Sequence, residues 1–395
     1  MIKMRKFLVI LLAALLVFGL AACAAEQPAP APEPAAPAPE APPPPPVDEP
    51  DEDEEPAEDP AVDASFVQIA LVAHSPDSIL DDNSFNQGAW AGIQRFLATH
   101  NLPDTNAQFF QPHSADDVAR VDLVADAIGA GANIVVLPGF HFIGSSAEMQ
   151  EMFPDVKFVL LDATPAGGAA ANTAAIQYAE HEAGFLAGYA AVMEGYRDLG
   201  FMGGIAVPAV VRFGHGFLQG AEHAGQSLGL GTGDITVNYY YVGQFAPSPE
   251  IATTASAWFA GGVEVIFAAA GGAGGSVMAG AEASDGSVIG VDVDQSNLSD
   301  TVITSATKAL DVSVYDMLTD FLNGEFRGGE LMFDATINGI GLPMHNSRFQ
   351  NFTQAQYDAI FALLANGTVV VDNVVTETVS EANLTLNIVV VNELN

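Results

Sequence analysis

Ile134-Val135-Val136-Leu137 and Glu264-Val265-Ile266-Phe267-Ala268 are short apolar runs with almost no polar alternation. A strand with one wet face alternates apolar and polar side chains, whereas a run that is apolar throughout has both faces covered, as in a parallel sheet flanked by helices. Outward from these two runs, similar segments alternate with helix-length stretches, which predicts an α/β chain wound by right-handed crossovers. Two sheets are expected. The first takes strands Val67 to Ala73, Ala107 to Gln111, Asn133 to Leu137 and Phe158 to Leu161, with helices near Phe85 to Thr99, Ala115 to Ala130 and Glu180 to Gly195. The second takes strands Leu199 to Ile205, Ile235 to Tyr241, Val263 to Ala268, Val288 to Val291 and Val302 to Thr304. Its helices lie near Phe213 to Leu228, Ser248 to Ala260, Ser276 to Ala283 and Asp311 to Leu322.

The chain ahead of the first strand reads differently. Lys3, Arg5 and Lys6 precede an apolar stretch, Phe7 to Leu20, which ends in Leu20-Ala21-Ala22-Cys23, the site of the only cysteine. This is the pattern of a lipoprotein signal (residues 1–22) with Cys23 as the lipidated first residue; an uncleaved anchor or an ordinary secretory peptide are the rival readings. Each sends the rest of the chain outside the cytoplasm. Residues 23–65 are rich in Pro, Ala, Asp and Glu and offer no core, so they read as a disordered spacer. The Pro-rich geometry and the acidic run from Asp48 to Glu55 give it a reach on the order of 100 Å; a cation-binding tail is the alternative reading of that run.

Formal net charge is -38, and the segment from Ala24 to Ser65 holds 13 of the 49 acidic residues. The body is therefore acidic in its own right, which excludes nucleic acid as a partner. With one cysteine there is no disulfide, and neither a cofactor nor a metal site is expected. Roughly 330 residues remain from Phe66 onward, enough for two ordinary α/β units. The expected division is a first lobe over 66–190, a second over 191–310, and returning segments over 311–395 that complete the first.

In open α/β sheets a ligand lies beyond the carboxyl ends of the strands, so the residues following each strand are the candidates. After the first strand comes Asp81-Asp82-Asn83-Ser84-Phe85-Asn86-Gln87-Gly88-Ala89-Trp90. Asp82 or Asn83 can cap the next helix, but carboxylates, an amide and two aromatics exceed what a cap needs. Such a set suits a planar heterocycle carrying N–H donors. Asp162 follows Phe158-Val159-Leu160-Leu161 as a turn residue or a ligand contact. Asp292 and Asp294 follow Val288-Ile289-Gly290-Val291 and can accept from adjacent hydroxyls; a calcium site or a polar turn competes. Gly271 and Gly272 open a strand-to-helix loop without a P-loop ending, which points to close backbone approach to a neutral ligand. Lys308 is one of two lysines beyond the leader, and Phe245 is either a core aromatic or one face of an aromatic sandwich.

Taken with Glu180-His181-Glu182-Ala183-Gly184-Phe185-Leu186-Ala187-Gly188, Phe201-Met202-Gly203-Gly204, Gly290-Val291-Asp292-Val293-Asp294-Gln295 and Thr304-Ser305-Ala306-Thr307-Lys308, the segment from Asp81 to Trp90 resembles the basic membrane protein family of substrate-binding lipoproteins. That family includes the purine nucleoside receptor A proteins. The resemblance spans Phe66 to the end of the chain and implies a type I periplasmic-binding-protein fold, two Rossmann-like lobes joined by a hinge with the ligand in the cleft between them. It also implies a membrane-anchored protein on the extracytoplasmic side that delivers nucleosides to the permease of an ABC importer. On this likeness Asp81 or Asp82 and Asn86 are polar contacts to the base, Trp90 and Phe245 stack on it, and Asp162, the backbone of Gly271 and Gly272, Asp292 and Lys308 serve the sugar; Phe85 and Asp294 stand as candidates from the residues alone.

Other functions remain to be weighed. A nucleoside hydrolase would need clustered aspartates holding a metal-bound water near the first strand, which the sequence lacks. Gly-x-Ser-x-Gly and His-Glu-x-x-His motifs are absent too, and His215 and His223 read as helix packing or surface residues. The same fold could take riboflavin or a sugar, or present a ligand to a membrane sensor.

Overall fold

The computed structural model describes residues 63–376 and 378–394. The expected leader, Cys23 and the spacer through residue 62 lie outside the described residues. The folded body begins slightly ahead of the expected boundary, since Ala64 is buried and its carbonyl accepts from the Val67 N–H, whereas Phe66 is half exposed.

The first five strands are β1 (Ile69–Val72), β2 (Ala107–Phe110), β3 (Ile134–Pro138), β4 (Lys157–Leu161) and β5 (Thr173–Tyr178). Among them run α1 (Phe85–Thr99), α2 (Asp117–Gly129) and α3 (Ile143–Met152), and α4 (Glu180–Glu194) follows. The pattern then repeats with β6 (Asp198–Gly203), α5 (Pro208–Leu228), β7 (Ile235–Tyr241), α6 (Pro249–Ala260), β8 (Val265–Ala269), α7 (Gly274–Glu282), β9 (Ser287–Asp292), β10 (Val302–Lys308) and α8 (Leu310–Leu322). The chain closes with β11 (Gly329–Phe333), β12 (Ile340–Gly341), α9 (Gln354–Ala365) and β13 (Val389–Leu394). One sheet has the order β11-β5-β4-β3-β1-β2, the other β12-β10-β9-β8-β6-β7-β13. Within these, β5-β4-β3-β1-β2 and β10-β9-β8-β6-β7 are the same five-strand arrangement used twice. Every pairing is parallel except β10 with β12.

The two sheets exchange chain at three places. β5 of the first sheet leads into α4, which packs on α5, β10 and β12 of the second; β10 leads into α8, which packs back on α1 and β4 of the first; β11 returns to β12. α4, expected within the first lobe, thus packs with the second sheet. The residues at the first two crossings have matching backbones, Ala179 at φ −83, ψ 65 and Ala309 at φ −76, ψ 56.

Several elements went unread. β5 (Thr-Ala-Ala-Ile-Gln-Tyr) is rich in alanine, a poor strand former, yet burial between neighbours makes it a strand. Pro208 sits at the first turn of α5, where its missing N–H costs nothing, so that helix starts five residues before the expected Phe213. α4 and α5 approach closely through Gly184, Gly188, Gly216 and Gly220. A Cβ at Gly216 would lie 2.0 Å from the His181 carbonyl oxygen, and one at Gly220 1.9 Å from that of Phe185. Backbone cannot yield as a side chain can. Gly220→Ala is therefore expected to destabilise the protein by at least about 1–3 kcal/mol, read from chemical unfolding, while Gly231→Ala, where the added carbon meets only Asp234 at 3.5 Å, should be close to neutral.

Candidate functional site

The carboxyl ends of both sheets face one cavity of about 670 Å³, within the range of small-molecule sites. At its floor Lys308, the last residue of β10, buries its side chain to 2% exposure. Lys308 Nζ lies 2.6 Å from Asp162 Oδ2, 3.1 Å from Asp292 Oδ1 and 4.0 Å from Glu180 Oε1. Arg212 Nε in turn donates to Glu180 Oε2 at 2.6 Å. Three carboxylates thus share two cations.

Asp162 and Asp292 follow from equivalent strands, β4 and β9, and both take left-handed backbone, φ 57 and φ 67. Asp tolerates that region better than most residues, and the turn brings both carboxylates to the one ammonium. Burial works against the charge on Lys308, yet Asp162, Asp292 and Glu180 together raise its pKa. The same burial, with Glu180 and Asp292 adding repulsion, drives the Asp162 carboxyl upward in spite of Lys308. One ammonium serving several acids is secure, while the most buried acid is under-compensated. Asp162 Oδ1 and Glu180 Oε1 are buried without a hydrogen-bond partner among the described residues; of the two residues, Asp162 lines the cavity and Glu180 lies behind it.

The walls carry aromatics. Phe85 lies under Lys308 at 4.4 Å, and Phe213 at 5.5 Å. Phe245 packs over Gly271, and at Gly204 a Cβ would strike its ring at 2.3 Å. On the first-sheet side stand Phe140, His141 and His74, with Arg120 beside them.

Of the residues expected in the site, Asp81, Asp82, Phe85, Asn86, Asp162, Phe245, Gly271, Gly272, Asp292 and Lys308 all line this cavity. Asp82 is also the helix cap: its carboxylate accepts from the N–H groups of Ser84, Asn86 and Gln87 at 2.9, 2.9 and 3.1 Å. Burial nevertheless lifts it to about 6. Asn86 spends its amide N–H on the Ile79 carbonyl at 2.9 Å, holding the loop that precedes the helix.

Trp90 and Asp294 stand apart from this cavity. Trp90 is absent from the cavity lining and packs partly buried against the core. Five residues of helix separate it from Phe85, which turns it about 140° away around α1. Asp294 lies beyond the left-handed turn at Asp292 and accepts instead from Asn346 Nδ2 at 2.7 Å and the Ser296 N–H at 3.0 Å.

Sequence reasoning missed Glu180 and Arg212 as members of the charge cluster behind the floor, although Glu180 heads one of the motifs above and Arg212 is one of few cations. It also missed Ser84, whose Oγ donates to Asp292 Oδ2 at 2.6 Å, and Gln295, whose amide donates to the Asn83 carbonyl at 2.8 Å. Both contacts join the start of α1 to the second sheet's loops. Substituting Lys308→Met leaves buried carboxylates unpaired and should cost about 3–5 kcal/mol of stability in chemical unfolding; an unchanged midpoint would show the cluster to be hydrated rather than buried.

Comparison with known proteins agrees with this arrangement. Residues 66–373 match the family model described as ABC transporter substrate-binding protein PnrA-like. The nucleoside-binding protein BmpA of an ABC transporter from Lactococcus lactis is 28% identical over 289 residues, covering 68% of this chain and 79% of that protein. Basic membrane protein A of Borreliella burgdorferi is 27% identical, covering 77% and 88%. A solute-binding protein of an ABC transporter system from Aeropyrum pernix superposes with a TM-score of 0.66 at 21% identity, covering 80% of this chain and 95% of that one, which supports the type I binding-protein fold. Two lobes of one five-strand plan, a cleft at their strand ends and the match over 66–373 make this chain a member of the PnrA-like family of ABC transporter substrate-binding proteins.

Proposed function

We propose that this protein captures nucleosides, purine nucleosides foremost, in its interlobe cleft and hands them to the permease of an ABC importer. The observation that carries the reading is the cavity floor, where the Asp162 and Asp292 carboxylates, both held by Lys308, line the cleft beneath aromatic walls. Vicinal hydroxyls of a ribose donate hydrogen bonds, and two neighbouring carboxylates suit them as acceptors. Phe245 and the facing rings take the planar base between them. BmpA of Lactococcus lactis, a relative over 68% of this chain, is named as a nucleoside-binding protein, which supports the same choice. No bond of the ligand need be broken, because capture requires only that the closed form make contacts the open form lacks. Ser84 with Asp292 and Gln295 with Asn83 are the pairs that would close the cleft edge.

The leader and Cys23 place the protein on the outer face of the cell membrane through an N-terminal lipid. Among the described residues no helix is long and apolar enough to cross a membrane. Cys23→Ser should leave ligand binding intact and move the protein from the membrane to the soluble fraction; retention in the membrane would overturn the lipid anchor.

Calorimetric titration after unfolding and refolding, which strips retained ligand, tests the main reading. Tight binding of nucleosides with little affinity for free ribose supports it, and silence toward every nucleoside with binding of riboflavin or a sugar overturns it. The buried acid adds a second signature. The raised pKa of Asp162 means that the free protein holds a proton there above the ordinary carboxylate range, and hydroxyl donors favour the ionised form. Binding should therefore release a proton, and affinity should rise with pH across the interval between the ordinary and the raised pKa. The heat of binding will then vary with the ionisation enthalpy of the buffer, and Asp162→Asn will remove that variation.

A further inference from the structure

The first-sheet wall of the cavity contains a ring stack whose polar atoms the nucleoside reading has not used. His74 and His141 lie face to face, centroids 4.1 Å apart and planes 3° from parallel, and Phe140 lies beside His141 with centroids 3.9 Å apart and planes tilted by 33°. His74 follows β1 and His141 follows β3, so both stand at the cleft edge of the first sheet. Ser78 Oγ lies 3.1 Å from each ring nitrogen of His74. Arg120 Nε donates to the His74 carbonyl at 2.8 Å, and its guanidinium is buried to 5% exposure, with the exposed Asp117 as its carboxylate partner at 2.7 Å. Burial first, then the neighbouring cation and, for His74, the second imidazole, hold both rings neutral, with His74 near 3 and His141 near 4.

The topology gives this stack a position relative to the floor. Strand order runs β4, β3, β1. Neighbouring strands lie about 4.8 Å apart, so the end of β1 is roughly 10 Å along the sheet edge from the end of β4, where Asp162 sits. That is about the span from the ribose hydroxyls to the far edge of a purine. In the second lobe the repeat of the Phe140-His141 turn is Gly271-Gly272, each opening a short helical turn after the third strand. Phe245 fills the space over those glycines. Asp162 and Asp292, another equivalent pair, meet at Lys308, so equivalent strand ends oppose each other across the cleft and Phe245 stands opposite the ring stack.

We propose that His74 is the specificity-determining contact for the base edge farthest from the sugar, and that it selects a carbonyl oxygen there over an amino group. The inference rests on the nucleoside reading above. Ser78 Oγ lies 3.1 Å from both nitrogens of the neutral imidazole and can donate or accept; with Ser78 donating to one nitrogen, the other has its N–H for a ligand. Arg120, paired with Asp117, stands behind the ring as a donor-only group and adds no acceptor for an amino group's hydrogens. The acceptor-rich surface of Asp81 and Asp82 is left for ring N–H groups. Together they suit a lactam, an N–H beside a carbonyl, as in a 6-oxopurine.

Inosine and adenosine differ at that edge and are the probes. Titrated into the refolded full chain, inosine should bind about tenfold or more tightly than adenosine, the discrimination expected of one buried hydrogen bond. His74→Phe keeps the stack but loses the N–H and should bring the ratio near one, mainly by weakening inosine. His74→Asn keeps an N–H donor and should restore much of the preference. Equal affinities or an adenosine preference in the natural chain overturn the proposal, as does an inosine preference that survives His74→Phe. If neither nucleoside binds, the nucleoside reading itself falls, and this proposal with it. Should the Phe variant fail to fold by its unfolding curve, the natural ratio and the Asn variant still decide.

Discussion

Everything at the cleft depends on one buried ammonium. Lys308 ends β10, the strand from which the chain leaves the second sheet for the first, and it is pinned by Asp162 of the first lobe and Asp292 of the second. Unpaired carboxylates at this depth would be driven to protonate or to draw in water. One cation touching acids from both lobes therefore fixes the floor and ties it to the chain crossing. Glu180, beginning α4 just past the other crossing, brings in Arg212 and joins the second lobe's longest helix to the same network.

The arrangement follows from duplication of a plan with unequal side chains. Asp162 and Asp292 occupy equivalent left-handed turns, whereas Tyr178 stands where the second lobe has Lys308, each ending the strand before a crossing. Tyr178 turns its hydroxyl to Ser313 at 2.5 Å and lies 5.5 Å from the ammonium. A second lysine there would set two buried cations against each other, so the symmetry breaks where electrostatics requires it. It breaks again at the turns after the third strands, where the first lobe has Phe140-His141 and the second Gly271-Gly272 beneath Phe245.

The fold was readable because continuous apolar runs and helix-length spacers are dictated by burial on both sheet faces, as in Ile134 to Leu137 or Val265 to Ala268. What depends on local strand preference was not readable: β5 is alanine-rich and is made a strand by β4 and β11 on its two sides. Strand ends followed by an acid led to Asp162 and Asp292, and the scarcity of lysine led to Lys308. Trp90 and Asp294, reached by the same reasoning, stand apart from the cavity, since an aromatic or acid near a strand end still needs the right angle, and helical rotation or a left-handed turn can point it elsewhere. Glu180 and Arg212 were hidden for another reason. They lie on helices of the second lobe, and only the exchange of α4 between lobes brings them to the floor.

Under the proposed capture by closure, that exchange also bears on the cleft's mechanics. Because α4 and α8 each begin immediately after a crossing, a change in angle between the lobes would fall on Ala179 and Ala309, and the groups nearest them are Glu180 and Lys308. Such a closure would move the lobes about the charge cluster without pulling it apart, while contacts farther from the crossings would travel more. Ser84 on Asp292 and Gln295 on the Asn83 carbonyl lie at the junction of α1 with the second lobe, and Phe245 lies farther out, over Gly271. In that closure a polar floor near the crossings and an aromatic wall farther out would divide the work between them. The floor would supply orientation in either state, and the distal rings would contribute most once the lobes had met, so differential affinity between open and closed forms is expected to come from the base end of a ligand.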